Sequence, residues 1–233
     1  MTLKATPKAR RLLATGLSVL AGLMVVGAVG LLGYPTYTDI REHRDQTKLR
    51  AEFDASSTAL KQAYQAASTG STKPSAGGQK VTLAEGSPIT RIQIPAINLD
   101  TVVVQGTSSQ ALDAGTGHYP QTPLPCSSSG NVAIAGHRTM NGHPFQDLPS
   151  LKPGDTVTLI TPLDSCVYTV VEPFDGHSNP WVTSPNDWTV IAQTTQPMLT
   201  LTTCTPEGTA TQRYAVRLLL TKVTALAPGA SGA

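Results

Sequence analysis

The rhythm of hydrophobic positions changes three times along this chain. From Leu12 to Leu32 apolar and small residues run almost unbroken, and no charged side chain occurs between residues 12 and 38. A run of that length crosses a bilayer core as one helix of about 20 residues. From residue 39 to 67, Ile40, Leu49, Phe53, Leu60 and Tyr64 recur at spacings compatible with one helical face, which predicts a weakly amphipathic stalk. Residues 68–80, rich in Ser, Thr, Gly and Pro, have the composition of a flexible tether. From 81 to 226 the pattern becomes short β-like runs separated by Pro, Gly, Asn and Asp. Strands are expected at 90–94, 101–105, 131–137, 156–160, 167–172, 198–204 and 213–221, with short helical turns near 109–114 and 144–148. Short strands at this density suggest a mainly β sandwich or barrel. Residues 227–233 read as a disordered tail.

Charge orients the apolar run. Lys4, Lys8, Arg10 and Arg11 precede it without an acid among them, whereas Asp39, Arg41, Glu42, Arg44 and Asp45 nearly cancel after it. The positive-inside rule then places residues 1–11 in the cytoplasm and everything beyond a 12–33 anchor outside the membrane. Tyr34 and Tyr37 fall where interfacial aromatics sit. A cleaved signal peptide has an apolar region of only about 7–15 residues, so an uncleaved, single-pass anchor is the better fit. Net charge is +2, and no basic block occurs beyond the N-terminus, which argues against nucleic-acid binding.

Strand alternation singles out three side chains. In 131–137, Val132 and Ile134 share one face, while Asn131, Ala133, Ala135 and His137 share the other, stripped of bulk up to the histidine. In 198–204, Leu199 and Leu201 point one way; Thr200, Thr202 and Cys204 point the other. Arg213, Ala215 and Arg217 share a face of the last strand, and nine residues separate Cys204 from Arg213. If those two strands pair, the arginine comes beside the thiol. A thiolate attacks acyl groups, an imidazole moves the protons, and a guanidinium serves as a fixed donor. Taken singly, each residue has an ordinary structural reading; the combination points to a cysteine acyl-transfer site.

Thr200-Leu201-Thr202-Thr203-Cys204 resembles the TLxTC signature of sortases, and Arg213 follows at the expected short distance. Gly136-His137-Arg138 supplies the histidine at an upstream strand end. Gly117-His118-Tyr119-Pro120 and Asn131–Thr139 are similar to class E sortases of high-GC Gram-positive bacteria, and the likeness spans about residues 90–220. The resemblance implies a closed eight-stranded β-barrel with short helices, preceded by the N-terminal transmembrane helix. It implies cleavage of an LPXTG-like C-terminal sorting signal on secreted proteins, a thioester on Cys204, and transfer to the amine of a cell-wall precursor or pilin lysine. His137 becomes the acid/base, Arg213 the substrate or oxyanion clamp, and Thr203 and Thr202 lesser contributors to the oxyanion site. No cofactor or metal is called for. Two alternatives stay open: a cysteine peptidase using water as acceptor, and a non-catalytic anchored wall-binding β-domain.

Three cysteines leave one odd in an exported domain. If Cys204 stays free, Cys126 and Cys166, both expected at turns outside strands, are candidates for a disulfide. His118 reads as a structural turn residue, and 173–187 as a loop suited to line a peptide groove.

Overall fold

The computed structural model describes residues 7–55, 58–68, 83–172 and 178–226. The tether expected at 68–80, apart from Ser68, and the tail expected at 227–233 lie outside them, as does the segment 173–177. The chain divides into two compact units, Met1–Thr38 and Asp39–Ala233.

The first unit holds the start of helix α1, Pro7–Asp54. It carries the apolar run, the one stretch among the described residues long and apolar enough to cross a membrane. Its large side chains, Leu17 through Leu31, stand exposed, a continuous apolar surface that water disfavours.

In the second unit α1 continues to Asp54, and α2 spans Thr58–Ser68, in place of one helix over 39–67. Leu49, Phe53, Leu60, Ala63 and Tyr64 are buried. Phe53, Leu60 and Tyr64 join the main core, and Tyr64 Oη donates to the Ile89 carbonyl at 3.0 Å. Burying each such side chain contributes about 1.5–3 kcal/mol. The helices therefore pack on the β-domain.

That domain has nine strands: β1 Pro88–Ile94, β2 Leu99–Gln105, β3 Thr116–His118, β4 Asn131–Gly136, β5 Thr156–Ile160, β6 Asp164–Val170, β7 Trp181–Thr183, β8 Met198–Thr205 and β9 Gln212–Ala225. Eight form a closed mixed barrel in the order β6-β5-β1-β2-β3-β4-β8-β9, sealed by pairing of β6 with β9. Opposite its β8 edge, β9 is long enough to serve two further neighbours. Its Leu218–Ala225 half closes the barrel on β6, while Arg213–Ala215 carries the ninth strand, β7. Val132, Ile134, Leu199, Leu201, Val216 and Leu218 fill the interior, as alternation requires.

Two strands carry no alternation to betray them. β3 holds only Thr116, Gly117 and His118, all buried. It fits because Gly117 has no side chain; a Cβ there would lie 2.1 Å from the Gly106 carbonyl oxygen. His118 is thus a strand residue, not a turn residue. β7 lies in the segment expected as an open loop. The strand expected at 167–172 starts earlier, at Asp164, because Thr161 Oγ1 accepts from the amides of Leu163 and Asp164 and turns the chain straight into β6. The second helical turn lies at Leu148–Ser150, later than the expected 144–148, and residues 144–147 form hydrogen-bonded turns before it.

Cys126 and Cys166 form a disulfide, Cα–Cα 5.6 Å. Cys166 is not at a turn: it sits inside β6 and is fully buried, and its inward neighbour Tyr168 accepts the Cys126 amide at 3.1 Å. Cys204 is the free thiol.

Candidate active site

Register gathers the three chemical groups. β4 and β8 run parallel, from Asn131 opposite Met198 to Ala135 opposite Thr202. Thr203 Oγ1 donates to the Gly136 carbonyl at 2.9 Å, and Arg138 Nη1 donates to Thr205 Oγ1 at 3.0 Å, both with the same 67-residue separation. Between these two tied pairs stand His137 and Cys204. On the other side, β8 and β9 are antiparallel and Cys204 pairs directly with Arg213. Such partners place their Cβ atoms about 5 Å apart on one face. That face carries Thr200, Thr202 and Cys204 on β8, and Arg217, Ala215 and Arg213 opposite them.

Cys204, His137 and Arg213 are all partly exposed, at the open end of their strands. Burial holds the His137 imidazole below the ordinary histidine range, while the Asp113 carboxylate pulls in the opposite direction. The Arg213 guanidinium is steadied by its own turn, with Nη1 donating to the carbonyls of Ala210 and Gln212, each at 3.1 Å. A guanidinium has five N–H donors, so donors remain for a substrate oxygen.

Thr202 and Thr203 differ in their surroundings. Thr202 shares the face of Cys204, and its Oγ1 lies 3.2 Å from Tyr119 Oη. Both are buried, but Thr203 alternates inward. Its hydroxyl donates to Gly136, so it ties the histidine strand to the cysteine strand and does not share the Cys204 face.

Beyond Thr202 the same face is roofed by the 178–193 segment. The buried Arg217 donates through Nε to Thr200 Oγ1 and through Nη2 to the Thr189 carbonyl, and its guanidinium lies 5.3 Å from the Trp181 ring centroid. Thr200 in turn donates to Asn131 Oδ1, and Asn179 bridges the main chain of Val171 and Arg217. Strand alternation marked Arg217 and Thr200 but not Asn179, Trp181 and Thr189, which arrive from a segment without periodicity. Asp113, at the C-terminal end of helix α3 (Ser109–Leu112), also escaped notice, because its relation to His137 is one of tertiary proximity.

His118 stands apart from this chemistry. It is buried, with Nδ1 2.9 Å from Gln105 Oε1 and Nε2 2.9 Å from the Pro123 carbonyl oxygen. Desolvation pushes its pKa down to about 4, so it works as a neutral strut. His143 is exposed, and His177 lies outside the described residues.

The sortase domain family matches residues 92–221, which cover the barrel from β1 into β9. Sortase SrtE1 of Streptomyces coelicolor is 33% identical over 139 residues, 56% of this chain but only 40% of that protein's length. Sortase D of Bacillus subtilis is 28% identical over 203 residues, 85% of this chain and 92% of its own. Among solved structures, the SrtF sortase from Corynebacterium diphtheriae superposes with a TM-score of 0.58 at 26% identity, covering 66% of this chain and 95% of that one. Sortase E1 from Streptomyces coelicolor, solved with a tripeptide in its active site, gives 0.54 at 29% identity over 62% and 94%. With more than half of its length matched, and with a closed eight-stranded barrel, the chain belongs to the sortase family of cysteine transpeptidases.

Proposed function

We propose that this protein is a membrane-anchored transpeptidase that cuts an LPXTG-like sorting signal and joins the upstream fragment to an amine. The observation that supports it most is the shared register, in which His137, just past the end of β4, and Arg213, on β9, flank Cys204.

The Cys204 thiolate attacks the scissile carbonyl carbon, forming a C–S bond and a tetrahedral oxyanion. Arg213 donates to that oxygen, or to the peptide backbone next to it, as charge develops. His137 in its protonated form gives a proton to the leaving amine, the C–N bond breaks, and a thioester remains on Cys204. The neutral imidazole then takes a proton from the incoming amine, which attacks the thioester. An amide forms and the thiolate is regenerated. Burial holds the imidazole below its ordinary range and favours the neutral form that takes the amine proton, while the Asp113 carboxylate favours the protonated form that the first half requires.

The α1 apolar run would hold the enzyme in the cytoplasmic membrane with residues 1–11 inside and the barrel outside. Secreted proteins leaving the translocon and a lipid-linked wall precursor, or a pilin lysine, would meet it there, and tethering raises their effective concentration.

The test is incubation with a sorting-signal peptide and an amine. Amide in excess over free acid supports transfer. Acid alone, whatever the amine concentration, means a peptidase, and no product combined with an unreactive Cys204 means a binding domain.

A further inference from the structure

The turn after His137 is held in an unfavourable shape from outside. Asn141, Gly142 and His143 have φ values of +50°, +70° and +38°, three successive left-handed residues of which only one is glycine. Non-glycine residues in that region cost about 1 kcal/mol or more and persist where the surroundings over-determine them. Local bonds close the turn, since His143 N donates to the Met140 carbonyl and Phe145 N to the His137 carbonyl. The remaining constraint comes from α1 and α3.

In the second unit, α1 presents a stripe of Asp39, Glu42, Gln46, Leu49 and Phe53, spaced three and four residues apart as one helical face. Its lower members are apolar and buried. Its upper members bind main chain of the β-domain. Gln46 brackets β2, accepting from Val102 N at 2.8 Å and donating to the carbonyls of Val102 and Ala114 at 3.1 and 2.6 Å. Asp39 Oδ1 accepts the Gly142 amide at 3.0 Å, and Asp39 Oδ2 lies 3.9 Å from His143 Nε2. The Glu42 carboxyl fills a slot between two glycines. A Cβ on Gly142 would lie 2.5 Å from Glu42 Oε2, and one on Gly115 would lie 3.2 Å from Glu42 Oε1. Asn141 is pinned in parallel, donating to Asp113 Oδ1 at 3.1 Å, while Arg41 pairs with Asp113 at 3.8 Å.

We propose that Asp39 and Glu42 are positioning residues of the catalytic centre: they clasp Gly142 and thereby fix the turn that follows His137. The proposal rests on His137 being the acid/base assigned above. The clasp leaves Cys204 and Arg213 untouched, because both stand on strands whose register is set by their own ladders. Its loss therefore acts on proton transfer, and a displacement of about 1 Å in a catalytic group can cost about a hundredfold in rate.

The experiment compares the full-length chain in detergent as wild type, Asp39→Ala/Glu42→Ala, Asp39→Asn/Glu42→Gln and His137→Ala. Amide hydrogen exchange is read over 138–145, and kcat and KM are measured with a sorting-signal peptide and an amine. The double alanine variant is expected to exchange at least tenfold faster in that segment, with β8 and β9 unchanged. Its kcat should fall at least tenfold while KM stays within about twofold. The amide variant is expected to restore both, since its side chains keep an acceptor for Gly142 N and fill the same slot. Asp39→Ala alone serves if the double variant does not fold. Unchanged exchange in the alanine variant overturns the clasp. Faster exchange with wild-type kcat overturns its catalytic role. Wild-type turnover by His137→Ala overturns the acid/base assignment instead, a failure the exchange data keep separate.

Discussion

Cys204 and Arg213 face each other as direct partners across the antiparallel β8–β9 ladder, nine residues apart in sequence. The short turn between them makes the pairing local, so any fold that keeps this hairpin keeps guanidinium and thiol together. The Arg213 side chain is already held by two carbonyls of that turn, which lowers the cost of orienting it for an oxyanion. Arg213→Ala is expected to lower kcat/KM about 10²–10³-fold, the effect of removing one oxyanion donor. Arg213→Lys should recover little, because a point charge does not reproduce a planar fork of donors. Steady-state kinetics on a sorting-signal peptide check this; wild-type rates for the lysine variant would remove the clamp role.

Glu42 gives stability a pH dependence of defined sign. Burial first, then the neighbouring Asp39 and Asp45 carboxylates, raise its pKa from 4.5 to about 7, with Arg50 opposing. The folded state thus binds this proton more tightly than the unfolded chain. Its contribution is complete below about pH 4.5 and is lost as pH rises to about 7. The carboxyl is partly exposed, so solvent screening reduces the effect to about 1 kcal/mol. Glu42→Gln is expected to match wild type at pH 4.5 and exceed it by about that amount at pH 8 in urea unfolding. An equal gain at both pH values would contradict the assignment.

Arg217 ties the 178–193 segment over the face that carries Thr200 and Cys204. Replacing it with methionine keeps much of the apolar stem but leaves the Thr189 carbonyl, Thr200 and the Trp181 face without their guanidinium. Unsatisfied buried polar groups cost about 1–3 kcal/mol each, so a loss of about 2–3 kcal/mol is expected by chemical denaturation. A change below about 0.5 kcal/mol would show that the network carries no stability.

The disulfide closes a separation of 40 residues between the 119–130 connection and β6. Chain entropy for a loop of that size corresponds to about 4 kcal/mol. Cys126→Ala/Cys166→Ala should lose a substantial part of that in thermal unfolding and retain a reactive Cys204. Loss of Cys204 labelling in the folded variant would instead tie the crosslink to the site.

Where alternation was strong, the chain announced its own fold. Val132/Ile134 and Leu199/Leu201 marked the interior, and the opposite faces delivered His137 and Cys204 to one surface. β3 and β7 stayed hidden because three-residue strands have no period, and Gly117 is selected by the Gly106 carbonyl, a contact no local pattern encodes. Cys166 looked like a turn residue because Asp164 and Ser165 beside it are polar, yet the Thr161 hydroxyl makes the turn before them. The trio proposed for catalysis was singled out through motif spacing. Its supports were not: Asp39, Glu42, Asp113 and the Arg217 network act across tertiary distances, and Asp39 and Glu42 read simply as charges after an anchor.

Intact-mass analysis of the enzyme with a sorting-signal peptide, quenched before the amine is added, bears most directly on Cys204 as the acyl carrier. The expected result is an adduct equal to the peptide fragment upstream of the scissile bond, mapped to Cys204, discharged by added amine and absent from Cys204→Ala. Amide product formed at the wild-type rate by Cys204→Ala, or an adduct mapping elsewhere, would contradict it.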